Sequence, residues 1–197
     1  MNRIESTIKN FLDGQELCIE GTMKKTDGII KIIKVLINAR NHGKKIFTMG
    51  NGGSGSTASH FVSDLLKTSI TKESKRFQAI SLVDNIPVVL AWANDVGYDY
   101  VFSEQLKNFL TKGDVLIGFS GSGNSKNLLR AFKLGQKVDA VCIGLTGLGG
   151  GKMKKYCNLC FEVPSKDMLT IESQHLLLCH CITTAIRNLG KPVFKYN

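Results

Sequence analysis

Apolar residues recur at helical spacing through residues 1–43. Ile4, Ile8, Phe11 and Leu12 form one stripe, and Ile29, Ile32, Ile33, Val35 and Leu36 form another. Thr26-Asp-Gly28 separates the two predicted helices, and Gly43 closes the second. Beyond that point the pattern changes to short apolar runs between longer amphipathic stretches. Runs at 45–49, 77–82, 115–119, 138–146 and 158–163 read as strands. Helices are predicted after residue 55, over 84–92, 101–111 and 126–135, briefly after 151, and finally over 169–189. Apolar strands alternating with helices predict a three-layer α/β/α sandwich on a parallel sheet. The chain, 1–197, reads as a single domain: an N-terminal helical segment over 1–43 and an α/β core over 44–197. The leading helices need an apolar surface to pack on, and another subunit is one source of it.

Ligands of such sheets bind beyond the carboxyl ends of the strands, and two Ser/Gly loops fall there. In the first, Gly50-Asn-Gly-Gly-Ser-Gly55 links a strand to a helix start. Its glycines permit close backbone approach, and the free N–H groups of the helix make an anion site. Ser54, Ser56 or Thr57 is expected to cap that helix. His60 and Asp64 follow at i,i+4 spacing, which puts an imidazole and a carboxylate on one helix face. The second loop, Ser120-Gly-Ser-Gly-Asn-Ser125, offers three hydroxyls and several backbone N–H groups, a cup for a phosphate monoester.

Gly50-x-Gly52-x-x-Gly55 also matches a dinucleotide fingerprint, with Asp84 as a ribose ligand. The stretch from Gly55 to Asp84 is longer than the usual ~20 residues, and the fingerprint does not predict the second loop. Residues 147–153 fail as a P-loop, since Thr146 and Met153 occupy its first Gly and its Ser/Thr positions. No nucleotide cofactor is expected.

Net charge changes the picture little. The chain carries +10, but its basic residues are dispersed apart from small groups at 72–76 and 152–155, with no interleaved aromatics. That pattern suits a solvated surface steering an anionic metabolite, and no nucleic-acid partner is expected. The sequence has neither an apolar run of transmembrane length nor a leader pattern, so a cytoplasmic protein without a membrane partner is expected. Among six cysteines, Cys157-Asn-Leu-Cys160 has zinc or redox spacing, yet no second pair completes a metal site. Buried thiols are the expectation.

Taken together, Gly50-Asn-Gly-Gly-Ser54 with His60, Asn94-Asp95 with Gly97, Gly118-Phe-Ser-Gly-Ser-Gly-Asn-Ser125, Leu145-Thr-Gly147 and a late His180 resemble the sugar isomerase (SIS) domain family. The resemblance runs over nearly the whole chain and is greatest to its phosphoheptose isomerases. These convert sedoheptulose 7-phosphate to D-glycero-D-manno-heptose 7-phosphate for heptose biosynthesis. It implies a five-stranded parallel sheet in a homotetramer, with the leading helices in subunit contacts and active sites between subunits. By position, Asn51, Gly52, Gly53, Ser54, Asn94 and Asp95 would hold the sugar or its phosphate. Ser120, Gly121, Ser122 and Ser125 would bind phosphate. His60, Asp64, Glu172 and His180 would surround the reacting carbons, where some members of the family bind zinc.

Two positions depart from the family pattern, which has Glu at 64 and Gln at 172. Here they are Asp64 and Glu172, giving two His and two carboxylates, a zinc-like set by ligand type. Isomerisation through an enediol needs a base at one carbon and an acid near the neighbouring oxygen. The resemblance makes Asp64 and His180 that pair, with Glu172 in reserve. On one straight helix Glu172 and His180 are about 12 Å apart in rise, so they reach toward each other or come from different chains. The competing functions are a non-enzymatic SIS tetramer that binds the replication initiator protein, and an isomerase or sensor for another sugar phosphate. His175 has no role beyond packing or an interface.

Overall fold

The computed structural model describes residues 2–194. Two helices lead: α1 (Arg3–Met23), capped by the Asn2 side chain, and α2 (Thr26–Asn41). The core then alternates β1 (Lys45–Gly50), α3 (Gly53–Ser63), β2 (Gln78–Ser81), α4 (Ile86–Asp95), α5 (Ser103–Lys107), β3 (Val115–Ser120), α6 (Lys126–Lys137), β4 (Val141–Thr146), β5 (Leu159–Glu162) and α7 (Met168–Arg187). All four strand pairings are parallel, in the order β2-β1-β3-β4-β5. The expected five-stranded parallel sheet is present. The helix predicted over 101–111 shrinks to α5, because Phe109 turns out to solvent and Gly113 takes φ 82°.

Alternate strand residues feed two cores, as a sheet covered on both faces requires. On one face Ile46, Ile117 and Ile143 meet Leu36 of α2 and Ile171, Leu178 and Ile182 of α7. On the other, Phe47, Leu116 and Cys142 meet Leu128 and Phe132 of α6 and Phe102 and Leu106 around α5. α1 is half used. Cys18 and Thr22 are buried, whereas Ile4, Ile8, Leu12 and Leu17 are each more than half exposed. No helix among the described residues is long and apolar enough to cross a membrane.

The order reverses between β1 and β3, whose connections leave in opposite directions. A crevice opens at their carboxyl ends, and both Ser/Gly loops sit beside it.

Candidate active site

The first loop turns tightly enough to exclude a side chain at its first residue, Gly50. A Cβ at Gly50 would lie 2.3 Å from the Ser54 carbonyl oxygen. The cap of α3 is Gly52, at φ 54° and ψ −127°, and no side chain bonds the free N–H groups. This corrects the expected hydroxyl cap. Ser54 is buried in the first turn, and the Thr57 hydroxyl donates to the Gly53 carbonyl oxygen at 3.2 Å. Gly55 N–H and Ser56 N–H turn back to the Gly52 carbonyl oxygen at 2.9 and 3.1 Å, which leaves the Gly53 and Ser54 N–H groups for an anion. The loop borders a cleft of about 630 Å³ reaching from Gly50 and Gly52 past Ser56 to His60, Tyr98 and Phe102.

Asn51 is fixed from two directions. Its Oδ1 accepts from the Tyr98 hydroxyl at 2.9 Å and from Asn127 Nδ2 at 2.8 Å, and its Nδ2 donates to Asn127 Oδ1 at 3.1 Å. Asn127 is buried in the first turn of α6, so this network ties the first loop to the second. Tyr98 and Asn127 escaped the sequence reading, because only the fold brings them to Asn51.

In the second loop Ser125 occupies the cap position of α6 but makes no side-chain cap bond. Its Oγ instead faces Ser120 Oγ at 3.3 Å. Gly123 N–H donates to Ser120 Oγ and Asn124 N–H to Ser122 Oγ, both at 3.2 Å. The loop is strapped to its neighbour by Met153 N–H on the Gly123 carbonyl oxygen (2.8 Å) and Lys152 N–H on Asn124 Oδ1 (3.1 Å). Gly123 has φ 63°, and a Cβ there would lie 2.1 Å from the Gly150 carbonyl oxygen. At Gly121 a Cβ would meet Met168 Sδ at 2.4 Å. These close approaches hold the hydroxyl cup open at the helix N-terminus.

Asn94 and Asp95 stand apart. They form the exposed last turn of α4, and Asn94 Nδ2 donates to Asp95 Oδ1 at 2.7 Å rather than to either loop.

Three of the four candidate metal residues converge. His60 Nε2 and His180 Nε2 are 2.9 Å apart. Asp64 Oδ2 lies 3.6 Å from the first and 3.8 Å from the second. Asp64 opens a π-helical turn, Asp64–Thr68, in which Ser69 N–H reaches back five residues to the Asp64 carbonyl oxygen at 2.9 Å. The widened turn buries Asp64, and its Oδ2 is a buried acceptor without a hydrogen bond among the described residues. A bare carboxylate oxygen aimed at two imidazole nitrogens fits a divalent metal such as zinc, which binds N and O donors together. Glu172 is not in this group. Its carboxylate lies over Gly53, where an added Cβ would come 2.4 Å from Oε2. The two turns of α7 that separate Glu172 from His180 keep them apart within one chain, although His60 and Glu172 share a pocket wall.

Behind the site, His175 is fully buried, with its ring 5.9 Å from that of Phe119. Neither of its ring nitrogens completes a hydrogen bond among the described residues. Burial pulls its pKa down to about 4, opposed only by the Thr146 backbone.

Sequence and structure comparisons match the chain to known proteins over most of its length. The SIS domain model matches residues 11–147. A phosphoheptose isomerase of Aliarcobacter butzleri is 38% identical over 92% of this chain and 95% of its own. One from Helicobacter pylori is 37% identical over 90% and 92%. The structure of a phosphoheptose isomerase from Francisella tularensis superposes with a TM-score of 0.89 at 26% identity, covering 95% of this chain and all of the other. The corresponding structure from Neisseria gonorrhoeae gives 0.87 at 27% identity, with 94% and 99% covered. A parallel sheet reversing between β1 and β3, two Ser/Gly loops at that reversal and a match spanning both loops lead to one conclusion: the chain belongs to the SIS domain family.

Proposed function

We propose that this chain is an aldose–ketose isomerase that converts sedoheptulose 7-phosphate to D-glycero-D-manno-heptose 7-phosphate, feeding heptose biosynthesis in the cytoplasm. The observation that carries this reading is Asp64 Oδ2, without a hydrogen bond among the described residues, beside His60 and His180 in a pocket that shares His60 with the cleft at the first loop. The relatives named phosphoheptose isomerase, similar over most of the chain, supply the substrate.

In this reading the Ser120, Ser122 and Ser125 hydroxyls and the α6 N-terminus take the phosphate, with Gly121 leaving room for it. Asn51, Gly52, Gly53 and Ser54 hold the sugar chain, and Glu172, leaning over Gly53, accepts from its hydroxyls. Asp64 takes the proton from C1 and returns it to C2, while His180 gives a proton to O2 as the enediol forms and takes one from O1 as it collapses, so no external redox partner is needed. His60, Asp64 and His180 would hold zinc, with Glu172 as a further ligand should it reach the group. When bound, zinc would polarise the two neighbouring sugar oxygens. Asn94 and Asp95, carried by the family pattern alone, have no role in one isolated chain. The exposed stripe of Ile4, Ile8, Leu12 and Leu17 supports a homotetramer with active sites at subunit interfaces.

The test is product formation from sedoheptulose 7-phosphate, followed by NMR with and without added zinc, beside fructose 6-phosphate and ribulose 5-phosphate. Heptose 7-phosphate formed in preference to the other aldoses supports the reading. No turnover of the heptulose under either condition overturns it.

A further inference from the structure

At the amino-terminal edge of the sheet, away from both Ser/Gly loops, lies a second polar cavity of about 400 Å³. It sits where the end of α2, the 71–75 loop that precedes β2, and the end of α7 meet. Its wall includes Arg40, Thr71, Ser74 and Lys75. Arg40 is 9% exposed, and its Nε is buried without a hydrogen-bond partner among the described residues.

A guanidinium stays charged at any physiological pH, so a buried one calls for an anion. Among the described residues, no carboxylate lies within ion-pair distance of Arg40. Glu73, on the same wall, is turned toward the chain and accepts from Lys191 N–H at 2.9 Å. What faces Arg40 is the ring of Phe77, 5.1 Å from the guanidinium carbon, together with the carbonyl end of its own helix. A π face and a helix terminus carry only partial negative charge. Burial accordingly lowers the Arg40 pKa from its ordinary value.

The rest of the cavity suits an oxyanion. The Thr71 and Ser74 hydroxyls are paired at 2.7 Å, with either able to turn its proton toward a ligand. Lys75 Nζ, held by the Asn41 carbonyl oxygen at 2.9 Å, adds a second cation at the exposed rim. A buried planar fork beside two hydroxyls, with an ammonium at the rim, is an arrangement for a phosphate or carboxylate group.

We infer that this cavity is a second anion site, taking a small metabolite through a phosphate or carboxylate group bound to Arg40. The site is separate from the isomerase chemistry and does not depend on it. Two of its three walls nevertheless continue into the reaction centre: the 71–75 loop follows the Asp64–Thr68 turn, and α7 carries His180.

Inorganic phosphate is the first probe and malonate the second, each measured against sodium chloride at matched ionic strength. The background is the Ser120→Ala/Ser125→Ala variant, which weakens phosphate binding in the active-site cup. At about tenfold excess over Kd, one of the two probes should raise the Tm of this background by about 3–6 °C. The responding probe distinguishes phosphate from carboxylate ligands. Adding Arg40→Met or Lys75→Glu should abolish the rise. Lys75 is exposed, so its reversal leaves a folded protein even if Arg40→Met does not. Failure of both probes to exceed chloride, or a rise that survives Lys75→Glu or a folded Arg40→Met, overturns the inference.

Discussion

Lowering the pH from 7 to 5 should cost this fold about 2 kcal/mol through His175 alone. Its folded pKa is about 4, against ~6.5 in an unfolded chain. Below pH ~6.5 the unfolded state takes up a proton that the folded state refuses until pH ~4. The unfolded state therefore binds more protons across that window, and stability falls as pH falls. The contribution is complete above pH ~6.5 and lost by pH ~4, amounting to ~3.4 kcal/mol at ~1.4 kcal/mol per unit. Between pH 7 and 5 roughly 2 kcal/mol of this is lost. Urea unfolding at pH 7, 6 and 5 and fixed protein concentration measures it, with His175→Leu as reference. Leucine removes the titrating group while filling the apolar site beside Phe119. Other titrating groups cancel in the difference, so the variant should lose about 2 kcal/mol less than the parent over that range. Parallel pH dependences would refute a His175 held neutral by burial.

The site gives further expected outcomes. Asp64→Asn keeps the shape but removes the charge facing His60 and His180, and kcat for the heptulose phosphate should fall ~10²–10⁴-fold with circular dichroism unchanged. Asn127→Ala removes one anchor of Asn51, worth ~1 kcal/mol, so KM should rise about fivefold with kcat less affected; an unchanged KM counts against Asn51 as a sugar ligand. Gly123→Ala drives a Cβ toward the Gly150 carbonyl oxygen from a positive φ. It should cost ~3 kcal/mol or more, seen as a Tm lowered by at least ~6 °C. Dialysis against a chelator should lower the Tm if His60, Asp64 and His180 hold zinc, and His180→Ala should remove that response.

Much of the architecture was legible because periodicity reports burial. Strands buried on both faces stand out as apolar runs, and the Ser/Gly loops follow each of the two that flank the crevice. The cap at Gly52 was misread, since residue propensity favours the nearby hydroxyls and says nothing of the backbone approach between Gly50 and Ser54. Nor does sequence announce the π-helical turn at Asp64, where one added residue in a helix leaves no compositional trace. His60, Asp64 and His180 could be grouped from spacing and resemblance. Glu172 was grouped with them by the same route, but helical rise separates it from His180 in one chain. Tyr98 and Asn127 required three elements to meet, and His175 required knowledge of what covers it.

Glu172 rests on a position without a side chain, and that binds the histories of two residues far apart in the chain. Alanine at position 53 requires the Glu172 carboxylate, the far end of a flexible arm, to swing aside. Shortening position 172 first would open the space. The two effects are therefore not additive. Among descendants of this sequence, a side chain at position 53 should be tolerated better in lineages that have already trimmed position 172.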